Sequence, residues 1–394
     1  MSDNLINKNK KKICLVNPTL IVRRPLKEMA PLLVEKGYEV GVMIPKNFKK
    51  NLYSEFVKKN KKICLHEYNV INTPLSQFEW PIPLLKFWFL SFKILWHYDV
   101  VQIWSNFYLN NFLLILLSYF FPRTKVILTM DTIPGYSFKS SKTIDKALKI
   151  YTRSICKLQF WRANKITLYG KSLLPHTKKA GLPLKKTVVI PTGLTFYKRP
   201  SKESSLRKLA KLLGMSVTVL KENKIVSFIG LMNDRKGVDL LLKVASKFKD
   251  ENVLFLLAGS GPNLKKYKEI VMRFGLNKIR FLGYTKEKKY LLELSDVFFF
   301  PSIGEGLAGV LMEAMYQEAT ILTTKIPCTT DLIKSGKEGV LLPIDDEKGF
   351  EKELRRLLND ERLRTKLREA AYKKIVNNFD WAKVLKQYQG VYDE

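Results

Sequence analysis

The chain has 394 residues, 46% of them hydrophobic, and 69 Lys and Arg against 36 Asp and Glu leave a formal net charge of +33. That length predicts two domains, and that apolar content excludes a disordered chain. The charge favours an anionic partner: nucleic acid, an acidic membrane surface or a phosphorylated substrate. Lysine is spread along the whole chain, so charge alone does not choose among them.

The predicted elements alternate between strand and helix. "KICLVNP" (12–18) reads as a strand entering a loop, and "PLKEMAPLLVEKG" as a helix stopped by Gly37. "YEVGVMIP", "DVVQIW" (99–104), "KVILTM" (125–130), "RANKITLYG" and "KKTVVIPTG" complete the strands of the first half. The polar stretch "YKRPSKESS" (197–205) has no apolar period and marks a boundary. The second half repeats the plan with "NKIVSFIG", the helix "KGVDLLLKVASKF", "VLFLLAGSGP", "IRFLGYT", the helix "EKKYLLELSD", "VFFFPSI", "ATILTTKI" and "GVLLPI". This alternation predicts α/β domains with parallel sheets covered on both faces. The expected domains are 1–200 and 201–375, with a terminal amphipathic helix over 376–394.

Four cysteines (14, 64, 156, 328) and three histidines lie far apart, which excludes a zinc site; the cysteines are expected to be small buried hydrophobes. The start of the chain is polar and basic, unlike a signal peptide. The most apolar run, "FLLILLSYFF" (112–121), would cover about half of a ~30 Å hydrocarbon core. A reduced, cytoplasmic protein is expected.

Chemistry concentrates in "SIGEGLAGVLMEAM" (302–315). A hydrophobic strand leads in, and a helix is predicted from about Ala308 or Gly309. Ligands of open parallel sheets sit beyond the carboxyl ends of strands, and a helix start presents unpaired N–H groups there. Glycines let a phosphate approach the backbone. Glu313, in the second helical turn, can accept two hydrogen bonds from a vicinal diol such as a ribose. Glu305 can reach a sugar hydroxyl or order the loop.

In its context this stretch resembles the E-x7-E signature of GT-B glycosyltransferases of the family 4 type. "FIGLMNDRKGVDLLLKVA", "LLAGSGPNLKKY" and "IRFLGYTKEKKYLLELSDVFFFPSIGEGLAGVLMEAM" match that family's donor domain element by element, and "FDW…VY" resembles its terminal helix. The resemblance implies two doubly wound Rossmann-like domains facing across a cleft, the acceptor in the first and a nucleotide-sugar in the second. It implies a retaining transferase with Glu313 on the ribose, Glu305 on the donor sugar and Lys236 offsetting the diphosphate, with Arg235 beside it. Gly230, Gly259 and Gly261 would form the glycine turns, and Gly306, Leu307, Ala308 and Gly309 would face the phosphates. No metal is expected, since no D-x-D motif is present and basic groups can stabilise the leaving diphosphate.

The chain departs from the pattern at Leu231, where the family has arginine, at Ala308, and at Pro327-Cys328, where a glycine pair is expected. The first domain matches loosely. In "LTMDTIPGYSF", Asp131 is the candidate active-site residue near the sugar, against a plain turn aspartate. These departures keep a second reading open, a degenerate non-catalytic GT-B protein that binds a nucleotide or a protein partner. Nucleic-acid binding lacks a recognition motif and is not expected. "LLKFWFLSFKILW" (84–96) reads as either a buried helix or one lying in a headgroup layer, in peripheral contact with an anionic membrane. A glycan or lipid-linked acceptor is expected.

Overall fold

The structure is a computed structural model that describes residues 10–20, 22–46, 60–75, 78–105, 107–137, 142–306 and 308–394. The chain divides into two compact units. One takes in the residues up to Thr195 together with Trp381–Glu394, and the other is Phe196–Asp380.

The first unit is built on β1 (Lys12–Val16), β2 (Glu39–Lys46), β3 (Cys64–Leu75), β4 (Phe78–Pro83), β5 (Val100–Trp104), β6 (Lys125–Met130), β7 (Lys165–Leu168) and β8 (Thr187–Val189). Their order across the sheet is β4-β3-β2-β1-β5-β6-β7-β8. β5 is buried along its whole length, as a central strand covered by helices on both faces must be. Every pairing is parallel except β3 with β4. This antiparallel ribbon corrects the all-parallel expectation. β4 carries Pro81 and Pro83 and lies at the sheet edge, where a residue without an N–H costs little pairing.

The terminal helix Trp381–Asp393 belongs to this first unit. Trp381 Nε1 donates to Glu28 at 2.5 Å, and Lys11 Nζ donates to the Tyr392 carbonyl at 2.6 Å. The Tyr392 hydroxyl donates to Gln102, whose amide donates to Thr129 Oγ1 at 2.7 Å. Thr167 Oγ1 donates to the same threonine oxygen at 2.8 Å. This buried polar chain ties the helix to β5, β6 and β7, and its members satisfy one another.

The second unit is built on β9 (Lys224–Ile229), β10 (Val253–Ala258), β11 (Ile279–Gly283), β12 (Val297–Phe300), β13 (Thr320–Thr324) and β14 (Val340–Leu342), in the order β11-β10-β9-β12-β13-β14. All of these pairings are parallel. β10 and β12 are fully buried apolar runs. Ser201 and Ser216 cap the two helices before β9 by accepting from Ser204 N and Val219 N.

Cys14 and Cys156 are buried as expected. Cys64 is exposed and Cys328 half-buried, so those two correct the reading of all four as core residues. Cys64 opens β3 at its solvent end, and Cys328 lies in the first turn of the short helix Pro327–Leu332. No helix among the described residues is long and apolar enough to cross a membrane.

Candidate functional site

In the second sheet β9 lies between β10 and β12, so the strand order reverses there. A crevice forms beyond the carboxyl ends of strands at such a reversal. The loops leaving β9 and β10 are bonded to each other: Gly230 N donates to the Ala258 carbonyl at 3.0 Å, and Met232 N to the Ser260 carbonyl at 2.9 Å. A Cβ on Gly259 (φ +146) would stand 1.8 Å from the Gly230 carbonyl oxygen, and one on Gly261 2.5 Å from that of Met232. These glycines are therefore required by the neighbouring loop.

The loops after β9 and β12 meet through charge. Lys236 Nζ lies 2.6 Å from Glu305 Oε1 and over the Phe300 ring, 5.3 Å from its centroid. Arg235 Nη1 donates to the Gly304 carbonyl at 2.6 Å and lies 3.6 Å from Glu305 Oε2. Ser302 Oγ donates to Glu305 Oε1 at 2.5 Å, and Ile303 N to the Arg235 carbonyl at 2.9 Å. The Glu305 side chain is 6% exposed. The carboxylate thus orders its own loop, one of the two roles its position allowed. Two cations against one carboxylate leave a local positive excess, suited to an anion. Leu231 is exposed and adds no charge.

The helix Gly309–Tyr316 starts where the sequence places it, with Ala308 as N-cap and no side-chain cap. Gly306 is half-buried and Ala308 buried; Leu307 lies outside the described residues. Glu313 is buried, with Oε2 2.6 Å from Lys288 Nζ. Burial, then the Glu313 charge, pushes the Tyr197 phenol up to about 12. Gln317 Nε2 donates to that phenol at 3.0 Å, and Phe196 stacks on Tyr316 at 4.8 Å. The Cys328 thiol is raised by burial and then by Glu305, which places the Pro327-Cys328 pair beside the charge cluster.

Asp131 lies in the first unit, just past β6, and pairs with Arg23 Nη1 at 2.9 Å. Burial alone would lower the Arg23 pKa; Asp131, Tyr108 and Tyr169 overcome it and hold the guanidinium charged. Trp104 Nε1 donates to Tyr169 at 2.6 Å.

Lys236, Arg235, Glu305 and the glycine turns are thus brought together, and Glu313 follows on the next helix. The sequence reading missed Lys288, Ser302, Tyr197 and Arg23. Lys288 is one basic residue among 69 and carries no local signal. Arg23 belongs to no motif, and only the fold brings it to Asp131.

Residues 216–374 match the family Glycosyl transferases group 1. The chain is 22% identical over 370 residues to an uncharacterized glycosyltransferase of Methanocaldococcus jannaschii, covering 91% of each chain. A Campylobacter jejuni alpha-1,4-N-acetyl-D-galactosaminyltransferase, whose name gives a diNAcBac-PP-undecaprenol-linked substrate, is 36% identical over 151 residues, 37% of this chain and 42% of that one. Among solved structures, Anabaena Alr3699/HepE in complex with UDP superposes with a TM-score of 0.78 at 16% identity, over 97% of this chain and 99% of that one. The fold is GT-B.

Proposed function

We propose that this chain is a glycosyltransferase and takes its sugar from a nucleotide-sugar bound in the second unit. The observation that carries the reading is the join between the loops of β9 and β12, where Lys236, Arg235 and an uncapped helix start accompany a buried Glu313. A diphosphate has two charged phosphate groups to place against cations and N–H donors, and a ribose has two vicinal hydroxyls for one carboxylate. When the glycosidic bond to the diphosphate breaks, negative charge grows on the leaving oxygen. Lys236 Nζ and the N–H groups at Gly309 then stabilise it more than they stabilise the bound donor, which is what accelerates the step. In this reading the phosphates draw Lys236 partly away from Glu305, and the freed carboxylate accepts a hydroxyl of the donor sugar. Lys288 is half-exposed and swings aside to admit the ribose.

We take retention of configuration and independence of a metal from the family resemblance. Asp131, set by Arg23, is proposed as the active-site residue of the first unit, near the sugar. A lipid-linked or glycan acceptor is proposed, and the Campylobacter relative's printed substrate supports it. The cytoplasm is the proposed compartment. Binding without turnover is the second reading, and exposed Leu231 in place of an arginine favours it. Thermal shift with UDP-, GDP- and ADP-sugars tests donor binding. A ligand at about 100 times its Kd adds ~2.7 kcal/mol of stability. Release of free nucleotide with an added acceptor extract separates transfer from binding alone.

A further inference from the structure

The helix Leu85–His97 in the first unit is apolar on both faces. Phe87, Leu90, Ile94 and Leu95 are buried in the core. Opposite them, Leu85 is 88% exposed, Phe89 75% and Trp96 78%, with Trp88 and Phe92 also exposed. A helix apolar all round is normally enclosed on every side or meets a phase other than water. Thirteen residues rise about 20 Å, short of a ~30 Å hydrocarbon core, so the helix cannot span one.

The apolar face continues beyond the helix. The Phe92 ring meets Phe121 edge-on at 5.0 Å, and Phe120 beside it is 80% exposed. The Tyr119 hydroxyl donates to the Leu158 carbonyl at 2.6 Å, and the helix Ile155–Arg162 exposes Leu158 and Trp161. One band of exposed rings therefore runs from Phe89 to Trp161. Soluble chains seldom leave so continuous an apolar patch uncovered.

Charge identifies what covers it. Between residues 84 and 130 the only acid is Asp99. Lys86, Lys93 and Arg123 are exposed among the rings. Aromatic rings with interspersed lysines suit a headgroup layer, where the ring stays at the interface and the lysine stem reaches a lipid phosphate. A second copy fits poorly, because a twofold contact would bring two equally basic patches together in a chain of net charge +33.

We propose that this band docks the protein on an anionic bilayer surface. The inference rests on the first unit alone and holds whatever the donor is. The test is co-sedimentation of the full chain with vesicles of phosphatidylcholine, and with vesicles in which a third of the lipid is phosphatidylglycerol. Binding is expected to the anionic vesicles at low salt and to weaken at high salt. Lys86→Gln with Lys93→Gln should lower partitioning about thirtyfold. Phe89→Ser with Trp96→Ser should lower it about tenfold or more, and both variants should keep the wild-type melting temperature because all four side chains are exposed. Full vesicle binding by either double variant would overturn the proposal, as would absence of wild-type binding to anionic vesicles. Light scattering covers the competing occupant: a dimer that Phe89→Ser with Trp96→Ser makes monomeric, without vesicle binding, would assign the band to a second copy instead.

Discussion

Lys236 has two obligations, and they can be separated. Its ammonium neutralises Glu305, a nearly buried carboxylate, and in the proposed reaction it also faces the departing diphosphate. Lys236→Ala should therefore lower both stability and turnover. Losing one partner of a buried pair costs up to about 3–5 kcal/mol, with the loss kept to the lower end here because Arg235 and Ser302 still hold Glu305. Losing a preorganised cation at the leaving group should lower kcat by roughly 10²–10³. Lys236→Met combined with Glu305→Gln removes both charges together. It should recover the melting temperature without recovering turnover. Recovery of both would make Lys236 a structural residue only. At this scale the sequence reading placed the charge cluster, because its members lie in two short turns next to strand ends. It missed Lys288, whose meeting with Glu313 joins two helices that lie apart in the sequence.

At the scale of elements, tight loops and buried edges control the site. Gly237 follows Lys236 with φ +68, and a Cβ there would lie 1.9 Å from the Pro301 carbonyl oxygen. Backbone cannot move aside as a side chain tip can. Gly237→Ala should thus part the β9 and β12 loops and cost several kcal/mol, on the order of 2–4, measurable by urea unfolding. Unchanged stability would mean the loops are not so closely joined. In the first unit, β3 meets the helix Leu85–His97 through His66 Nε2 and the Tyr98 hydroxyl, 2.7 Å apart. Burial, then Lys93 and His97, lower the His66 pKa. The unfolded chain then binds this proton more readily, at an ordinary pKa of about 6.5. Stability contributed at neutral pH is lost as pH falls below that value. His66→Gln should show a smaller drop in melting temperature between neutral and mildly acid solution than the wild type. An equal drop would remove His66 from the acid sensitivity. The regular strands around these points were legible as short apolar runs between turn residues. β3 and β4 were not, because Pro74, Pro81 and Pro83 argue against strand anywhere but at an edge, and edge position is a property of the sheet.

Across the whole molecule, each sheet has one place where strand order reverses: between β1 and β5 in the first and around β9 in the second. The residues singled out from sequence lie at or near strand ends by these places, Asp131 after β6 and the charge cluster after β9 and β12. The family match over 216–374 covers most of the second unit, and the first is recognised by its fold. That difference has a physical cause. A site made of backbone turns and charges, as the proposed donor site is, constrains sequence closely, whereas a sheet core accepts many apolar residues of suitable size. The account rests on donor binding in the second unit, and isothermal titration with UDP-, GDP- and ADP-sugars, run on wild type and Glu313→Ala, tests it most directly. The account predicts saturable binding of one nucleotide class and a loss of about tenfold to a hundredfold in affinity in the variant, the worth of hydrogen bonds to a charged group. Binding of no nucleotide-sugar, or equal affinity in Glu313→Ala, would contradict it.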